Sequence, residues 1–369
     1  MPVQKKSLRN SLVFAAVCTA YCLAPAGGWA DQSGSGEVKA CSADFYAKLR
    51  SPVKKDDNTI KVDCNIDLKP GEVIARKLDF AGAEASGTSL DCHGATLGTK
   101  ASKPSSKSPI IAIRSVKKRK GDGNGDGWSV PQGITIRNCK IVGNLRLIGL
   151  GISGEAEEVR KSSLHRNHTE NAQANAPSDI LISKVTIEAT GGIPLYFGPG
   201  VTRTTVEKST LRGKSSKTAV YLDAESANNV LDRNTFAVKT SLREQVAIDG
   251  SAKNRITNNR FDDPVRGGIY VYRNCGEGGT IRHQKPQYNE IIGNTFTYDH
   301  FRLAAPAIWL NHRDVGKLYC KLNPKYPFGS SLDWHDFAKH NLVKDNRFKG
   351  PWSLRIVNFD DTNKITGNK

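Results

Sequence analysis

Several signatures are missing from this 369-residue chain, and each absence closes a class of function. Beyond residue 30 no stretch is apolar enough to cross a bilayer as a helix, so no membrane insertion is expected. No Cys-x-x-Cys pair offers a zinc site. There is no P-loop, no Rossmann glycine fingerprint, no nucleophile elbow and no His-Glu-x-x-His pair. Nucleotide-driven, nicotinamide-linked, α/β-hydrolase and zincin chemistries therefore have no motif to stand on. Acidic residues are scarce: 36 Asp and Glu face 54 Lys and Arg, a formal charge of +18.

What is present begins with an export signal. Lys5, Lys6 and Arg9 form a basic start, residues 12–23 are apolar, and Gly28-Trp29-Ala30 supplies small residues at the cleavage positions. Residues 1–30 are expected to be a secretory signal peptide and 31–369 one mature domain, secreted or periplasmic. The mature part keeps Cys41, Cys64, Cys92, Cys139, Cys275 and Cys320, an even set that suits disulfides in an oxidising compartment. Without Lys5, Lys6 and Arg9 the formal charge falls from +18 to +15. An exported protein this basic is expected to meet an anion. An acidic polysaccharide is the expected partner rather than nucleic acid, which is rarely a target outside the cytoplasm.

The strongest pattern is a repeated phrase. It reads Asn229-Val-Leu-Asp-Arg-Asn234-Thr-Phe236 and returns at Asn254, Asn289, Asn341 and Asn363, at steps of 25, 35, 52 and 22 residues. Fixed internal spacing at variable steps describes a solenoid whose strands are constant and whose loops vary. Strand-like runs with period-two alternation precede the phrases: Gly192 to Tyr196, Ala219 to Asp223, Gln245 to Asp249, Gly268 to Tyr272, Ala307 to Asn311 and Ser353 to Val357. Their inward rows, from Ile193/Leu195 through Ile308/Leu310 to Leu354/Ile356, are expected to fill one core. The fold expected is all-β: a single-stranded right-handed parallel β-helix, monomeric, capped at its N-terminus by a short helix near residues 41–50.

These phrases, with Ser89-Leu-Asp-Cys-His-Gly-Ala-Thr-Leu97, resemble the right-handed parallel β-helix repeat proteins. That pectate lyase-like superfamily includes pectate lyases, polygalacturonases and alginate lyases and epimerases. The resemblance covers roughly residues 60–369 and bears on fold more than on reaction.

The outward face of the second strand set carries the candidate site. One column is read as Pro194, Tyr221, Ala247, Tyr270, Trp309 and Arg355, and its neighbour as Tyr196, Asp223, Asp249, Tyr272 and Asn311. Aromatic faces pack on sugar rings and polar groups bond their hydroxyls and carboxylates. The competing reading is that these aromatics are ordinary strand residues packed beneath overhanging loops. The two largest insertions follow Tyr272 and Asn311; they belong to consecutive coils, and each holds one cysteine, so a Cys275–Cys320 disulfide is expected.

Two mechanisms fit this set. Lyase or C5-epimerase chemistry on a uronate needs cations beside the substrate carboxylate and a base. Arg273, Arg282 and Arg313 are candidates for the first role, and His283, His312 or Tyr272 for the second. Tyr196, Tyr221, Asp223, Asp249, Tyr270 and Trp309 are candidates for binding substrate. Hydrolysis would instead use Asp223 and Asp249 as paired carboxylates, without the Asn-Thr-Asp motif of polygalacturonases. Asp223, Glu225 and Asp249 could also hold Ca2+. No Asp-Pro-His-Asp motif of the kind alginate epimerases carry is present. A third reading is a non-catalytic polysaccharide-binding or envelope-structural protein. Asp122-Gly-Asn-Gly-Asp-Gly127 resembles the start of a calcium loop, but Gly133 stands where the bidentate Glu is needed, so a turn is expected.

Overall fold

The computed structural model describes residues 39–54, 56–118, 127–301, 305–314, 320, 322–351 and 354–369. The expected signal peptide and residues 122–126 of the Gly/Asp phrase lie outside them. Among the described residues no helix is long and apolar enough to cross a membrane.

The described residues wind through three long parallel sheets of ten, ten and nine strands. Each coil contributes one strand to each sheet in turn. The first sheet includes Leu145–Ile148, Leu195–Phe197, Val220–Leu222, Val246–Asp249, Ile269–Tyr272 and Ile308–Leu310. The second includes Val230–Asp232 and Arg255–Thr257, and the third includes Thr235–Thr240 and Arg260–Asp262. Each strand pairs with its counterpart one coil away, as in Val230 with Arg255 and Phe236 with Phe261.

Alternation sends every second side chain inward. Leu195, Val220, Val246, Ile269 and Ile308 stack in the first sheet, and Ile182, Val206, Leu231, Ile256 and Ile291 in the second. Phe236, Phe261, Phe296 and Phe348 stack in the third, with ring centroids 4.5 to 5.5 Å apart. Burying each such side chain contributes about 1.5–3 kcal/mol relative to exposure. Leu354 departs from the expected row: it is exposed, and Ile356 is half-buried.

The asparagines of the repeat form two ladders on either side of the second sheet. Asn254 Oδ1 accepts from Asn229 N at 3.0 Å, and Asn254 Nδ2 donates to Asn289 Oδ1 at 2.8 Å. The second ladder repeats this through Asn234, Asn259, Asn294, Asn346 and Asn368. The residue before every rung but Asn363 has left-handed backbone, as in Asn228 (φ 59°), Arg233 (54°) and Asn258 (56°), which turns the chain from one sheet to the next. Upstream the same turn persists at Arg203 (52°) and Lys208 (50°), but Thr204 and Ser209 follow them. Their amides donate to Asn229 and Asn234 Oδ1 at 3.0 Å. The earlier coils thus keep the bend while the asparagine phrase disappears.

The N-terminal end is closed by helix α1 (Ala43–Arg50), whose N-cap Ser42 accepts from Phe45 N. Leu49 is buried against the first coils, and Phe45 and Tyr46 pack on them. Cys41–Cys64 ties this cap to the helix, Cys92–Cys139 joins two neighbouring coils, and Cys275–Cys320 forms as expected.

Candidate functional site

The outer face of the first sheet is covered by three segments. Two are the described parts of the expected insertions, residues 273–288, and 311–314 with 322–338. The third, residues 149–177, carries helices α2 (Glu157–Ser163) and α3 (His168–Ala174). Buried Glu225 holds two of them down: its carboxylate accepts from Thr169 Oγ1 at 2.5 Å, His283 N at 2.8 Å and Gln284 N at 3.0 Å. Burial drives the His168 imidazole down to about 4, against the pull of Glu225, so it is neutral beneath the cover.

Register sets the floor of the site. Arg146, Tyr196, Tyr221, Ala247, Tyr270 and Trp309 lie opposite one another on successive coils. Tyr196 therefore joins the column of Tyr221 rather than that of Asp223, and Val357, not Arg355, faces Trp309. Both expected alignments were two residues out.

Around this column, tyrosines pair with acids. Tyr196 donates a short hydrogen bond to Asp223. Tyr221 donates to Asp249 at 2.6 Å, and Tyr272 to Glu244 at 3.0 Å. Asp223 also accepts from Gly154 N at 3.0 Å and Ala224 N at 2.8 Å, and Arg282 Nη1 lies 3.3 Å from it. Asp249 accepts from both Asn274 N, at 2.7 Å, and Asn274 Nδ2, at 2.6 Å. Arg313 donates to Asn274 and stacks on Tyr272, its guanidinium 4.6 Å from the ring centroid.

Burial pushes Tyr196, Tyr221 and Tyr272 well above the usual phenol range. Burial also raises the Asp223 carboxyl, although Arg282 opposes it. Arg282 loses solvation too, but Asp223 and Asp249 outweigh that loss and hold its charge firmly.

A cavity of about 640 Å3 opens over Arg146, Tyr196, Tyr221 and Asp223. Asn274, Arg243, Arg282 and Arg313 line it as well, and Glu155 and Glu277 meet at its exposed mouth. The hydrogen bond to Glu277, with burial, raises the Glu155 carboxyl above its ordinary value.

Arg146 stands apart in this group. It is 5% exposed, and its guanidinium lies 3.9 Å above the Tyr196 ring. Its guanidinium donates to Ile152 O at 3.0 Å, and among the described residues no carboxylate is in contact with it. Burial pulls its pKa down, while Tyr196 and, from further off, Asp223 oppose that pull. A buried cation with no carboxylate in contact is costly, and the open cavity above it admits one.

The candidate residues thus divide. Tyr196, Tyr221, Asp223, Arg282 and Arg313 converge on the cavity, with Asp249 beneath Tyr221. Tyr270, Trp309 and His312 line a second cavity further along the face, and Tyr272 is buried between the two. Arg273 and His283 are elsewhere. The Arg273 guanidinium is buried and donates to Asp333 O and His335 O, pinning a covering loop. His283 donates from Nε2 to Ser163 O at 2.8 Å, its ring against His168 and Phe328. Neither lines the cavity, so neither is placed to neutralise or deprotonate a substrate there. The calcium set also fails to converge: Asp223, Glu225 and Asp249 each spend their oxygens on different protein donors. Among the described residues no group of three or more His, Cys, Asp or Glu could hold a metal.

Arg146, Arg243, Asn274 and Glu155 were not anticipated. The alternation Leu145-Arg146-Leu147 carries the outward Arg146 in the same pattern as later strands, so it was open to detection. Arg243 and Glu155 lie outside any strand and carry no periodic signal.

Comparison with known proteins agrees with this architecture. Residues 123–296 match the family described as right handed beta helix region. The right-handed parallel β-helix expected from the repeats is therefore borne out. Two solved structures are similar. The Streptococcus pneumoniae surface protein and adhesin PfbA shares 14% identity over 87% of this chain and 77% of its own, with a TM-score of 0.48. The A-module of the Azotobacter vinelandii mannuronan C-5 epimerase AlgE6 shares 10% identity over 85% and 80%, with a TM-score of 0.37. No curated protein sequence matches the chain significantly. At these TM-scores neither likeness carries an argument about this chain.

Proposed function

We propose that this is an exported protein that binds an acidic polysaccharide along its first sheet and removes the C5 proton of a uronate unit, as a lyase or epimerase. The observation that carries the reading is Arg146: a buried cation, in contact with no carboxylate among the described residues, at the base of an open cavity. A uronate carboxylate seated there supplies the missing charge, and Arg146 stabilises the enediolate that forms when C5 loses its proton.

The Tyr196–Asp223 pair supplies the base. The Tyr196 oxygen takes the C5 proton as its own proton passes to Asp223, and the C–H electron pair moves into the enediolate. Burial raises the proton affinity of Asp223, which suits it to this role, and Arg282 holds it ionised at rest. In elimination the bond from C4 to the glycosidic oxygen then breaks, a C4–C5 double bond forms, and the departing oxygen takes a proton from Glu155. In epimerisation C5 is reprotonated from the opposite side and the chain stays whole.

The hydrolytic alternative on Asp223 and Asp249 has less support, because Asp249 does not line the cavity and its oxygens are held by Tyr221 and Asn274. The binding-protein alternative uses the same Arg146 without chemistry. Three disulfides and the basic balance support export.

The test is incubation of the disulfide-intact protein with polygalacturonate, alginate and glucuronan. Lyase action gives near-ultraviolet absorbance from unsaturated uronate, and epimerisation gives solvent deuterium at C5 without cleavage. Reducing ends without either signal would favour hydrolysis, and saturable binding without product would leave the binding protein.

A further inference from the structure

Several arginines on the outer surface of the coils meet an acid from the neighbouring coil. Arg203 bonds Asp179, Arg212 bonds Glu188 and Arg255 bonds Glu290, at 2.6 to 3.1 Å. One edge departs from that habit, where the third sheet turns into the first beside the cavities.

Three successive turns there each carry a cation, three residues ahead of the paired Val220, Val246 and Ile269: Lys217, Arg243 and Arg266. Lys217 lines the first cavity, Arg266 the second, and Arg243 both. At the end of the third sheet, just before these turns, Lys214 and Lys239 lie opposite each other in register, both exposed. Like charges placed so repel. Of these five cations only Arg243 has a carboxylate in contact among the described residues, Glu244 at 2.9 Å. The other acid of the turns, Asp263, accepts from Asp299 N at 3.3 Å.

The open charges are spread along the helix axis. Lys217 and Arg266 stand two coils apart, about 10 Å at the ordinary interstrand spacing. Arg266 stands four coils beyond Arg146, about 19 Å, out of reach of a disaccharide seated there. A polyanion laid parallel to the axis meets these cations in succession.

Resting on the reading above, we propose that this edge binds the same polymer beyond the Arg146 cavity, with acidic units on Lys217 and, further along, on Arg266. The preferred substrate then carries acidic units on both sides of this span and is long enough to reach Arg266.

Calorimetric titration with digalacturonate and hexagalacturonate tests this, with thermal unfolding measured on each variant. Arg266→Glu should weaken hexagalacturonate binding about tenfold and leave digalacturonate binding unchanged. Arg266→Lys, which keeps the charge, should retain most of the affinity. Lys140→Glu reverses an exposed lysine of the third sheet away from this edge, and should change neither probe. The inference is overturned if Arg266→Glu leaves hexagalacturonate binding intact, or if Lys140→Glu weakens it as much, while Arg146→Ala still weakens both probes. If neither probe binds, or Arg146→Ala leaves both intact, the uronate reading itself fails and this inference falls with it.

Discussion

The turns beside the second sheet and the outer face of the first both bury polar groups, and they satisfy them in opposite ways. In the turns, each asparagine meets an identical asparagine one coil away, so every donor finds its acceptor by translation alone. On the first sheet the bonds join unlike residues, even where Tyr196 and Tyr221 repeat in register. Tyr196 finds Asp223, Tyr221 finds Asp249, Tyr272 finds Glu244, and Arg146 finds no carboxylate. Repetition closes the hydrogen-bond account of the turns; irregularity leaves one charge open, and that charge lies beneath the cavity.

Substitutions on the two sides should therefore fail differently. The largest effect is expected at Tyr196. Tyr196→Phe keeps the ring under Arg146 but removes the proton relay, and turnover of a uronate polymer should fall about a thousandfold. Thermal unfolding measured alongside should move little. In the ladder the order reverses: Asn259→Ala strands Asn234 N, Asn234 Nδ2 and Leu231 O, and should cost about 3 kcal/mol of stability in urea unfolding. Its effect on turnover should follow only from lost folded protein.

A smaller effect tests the cover over the site. His168 titrates near 4 when folded but near its ordinary 6.5 when unfolded, so below 6.5 the unfolded chain binds the extra proton. Stability is then full above pH 6.5 and is lost as pH falls toward 4, by about 2 kcal/mol at pH 5. His168→Gln should flatten that decline; an unchanged slope would place the acid sensitivity elsewhere.

Much of the architecture was legible because it is periodic. The asparagine phrase located the turns, the phenylalanines located a core row, and the unequal steps located the loops that carry Cys275 and Cys320. What escaped was also physical in origin. Alternation has period two, so a slip of two residues leaves every inward side chain inward and passes unnoticed. Tyr196 and Arg355 were misplaced in that way, and pairing with Arg146 and Tyr221 corrects the first. The α2–α3 cover was missed although Glu157, Glu158, Arg160 and Lys161 give it an acidic start and a basic end. Once it was missed, His283 looked available, since its hydrogen-bond partner Ser163 lies in that cover.

The central claim is that Arg146 is held for an anion the protein does not itself supply. Arg146→Met tests it most directly, with urea unfolding and uronate-polymer binding measured on the same samples. The account predicts stability within about 1 kcal/mol of the parent or above it, because an unpaired buried charge is removed, together with a loss of binding of about a hundredfold. A variant that loses several kcal/mol of stability yet binds the polymer as before would contradict it.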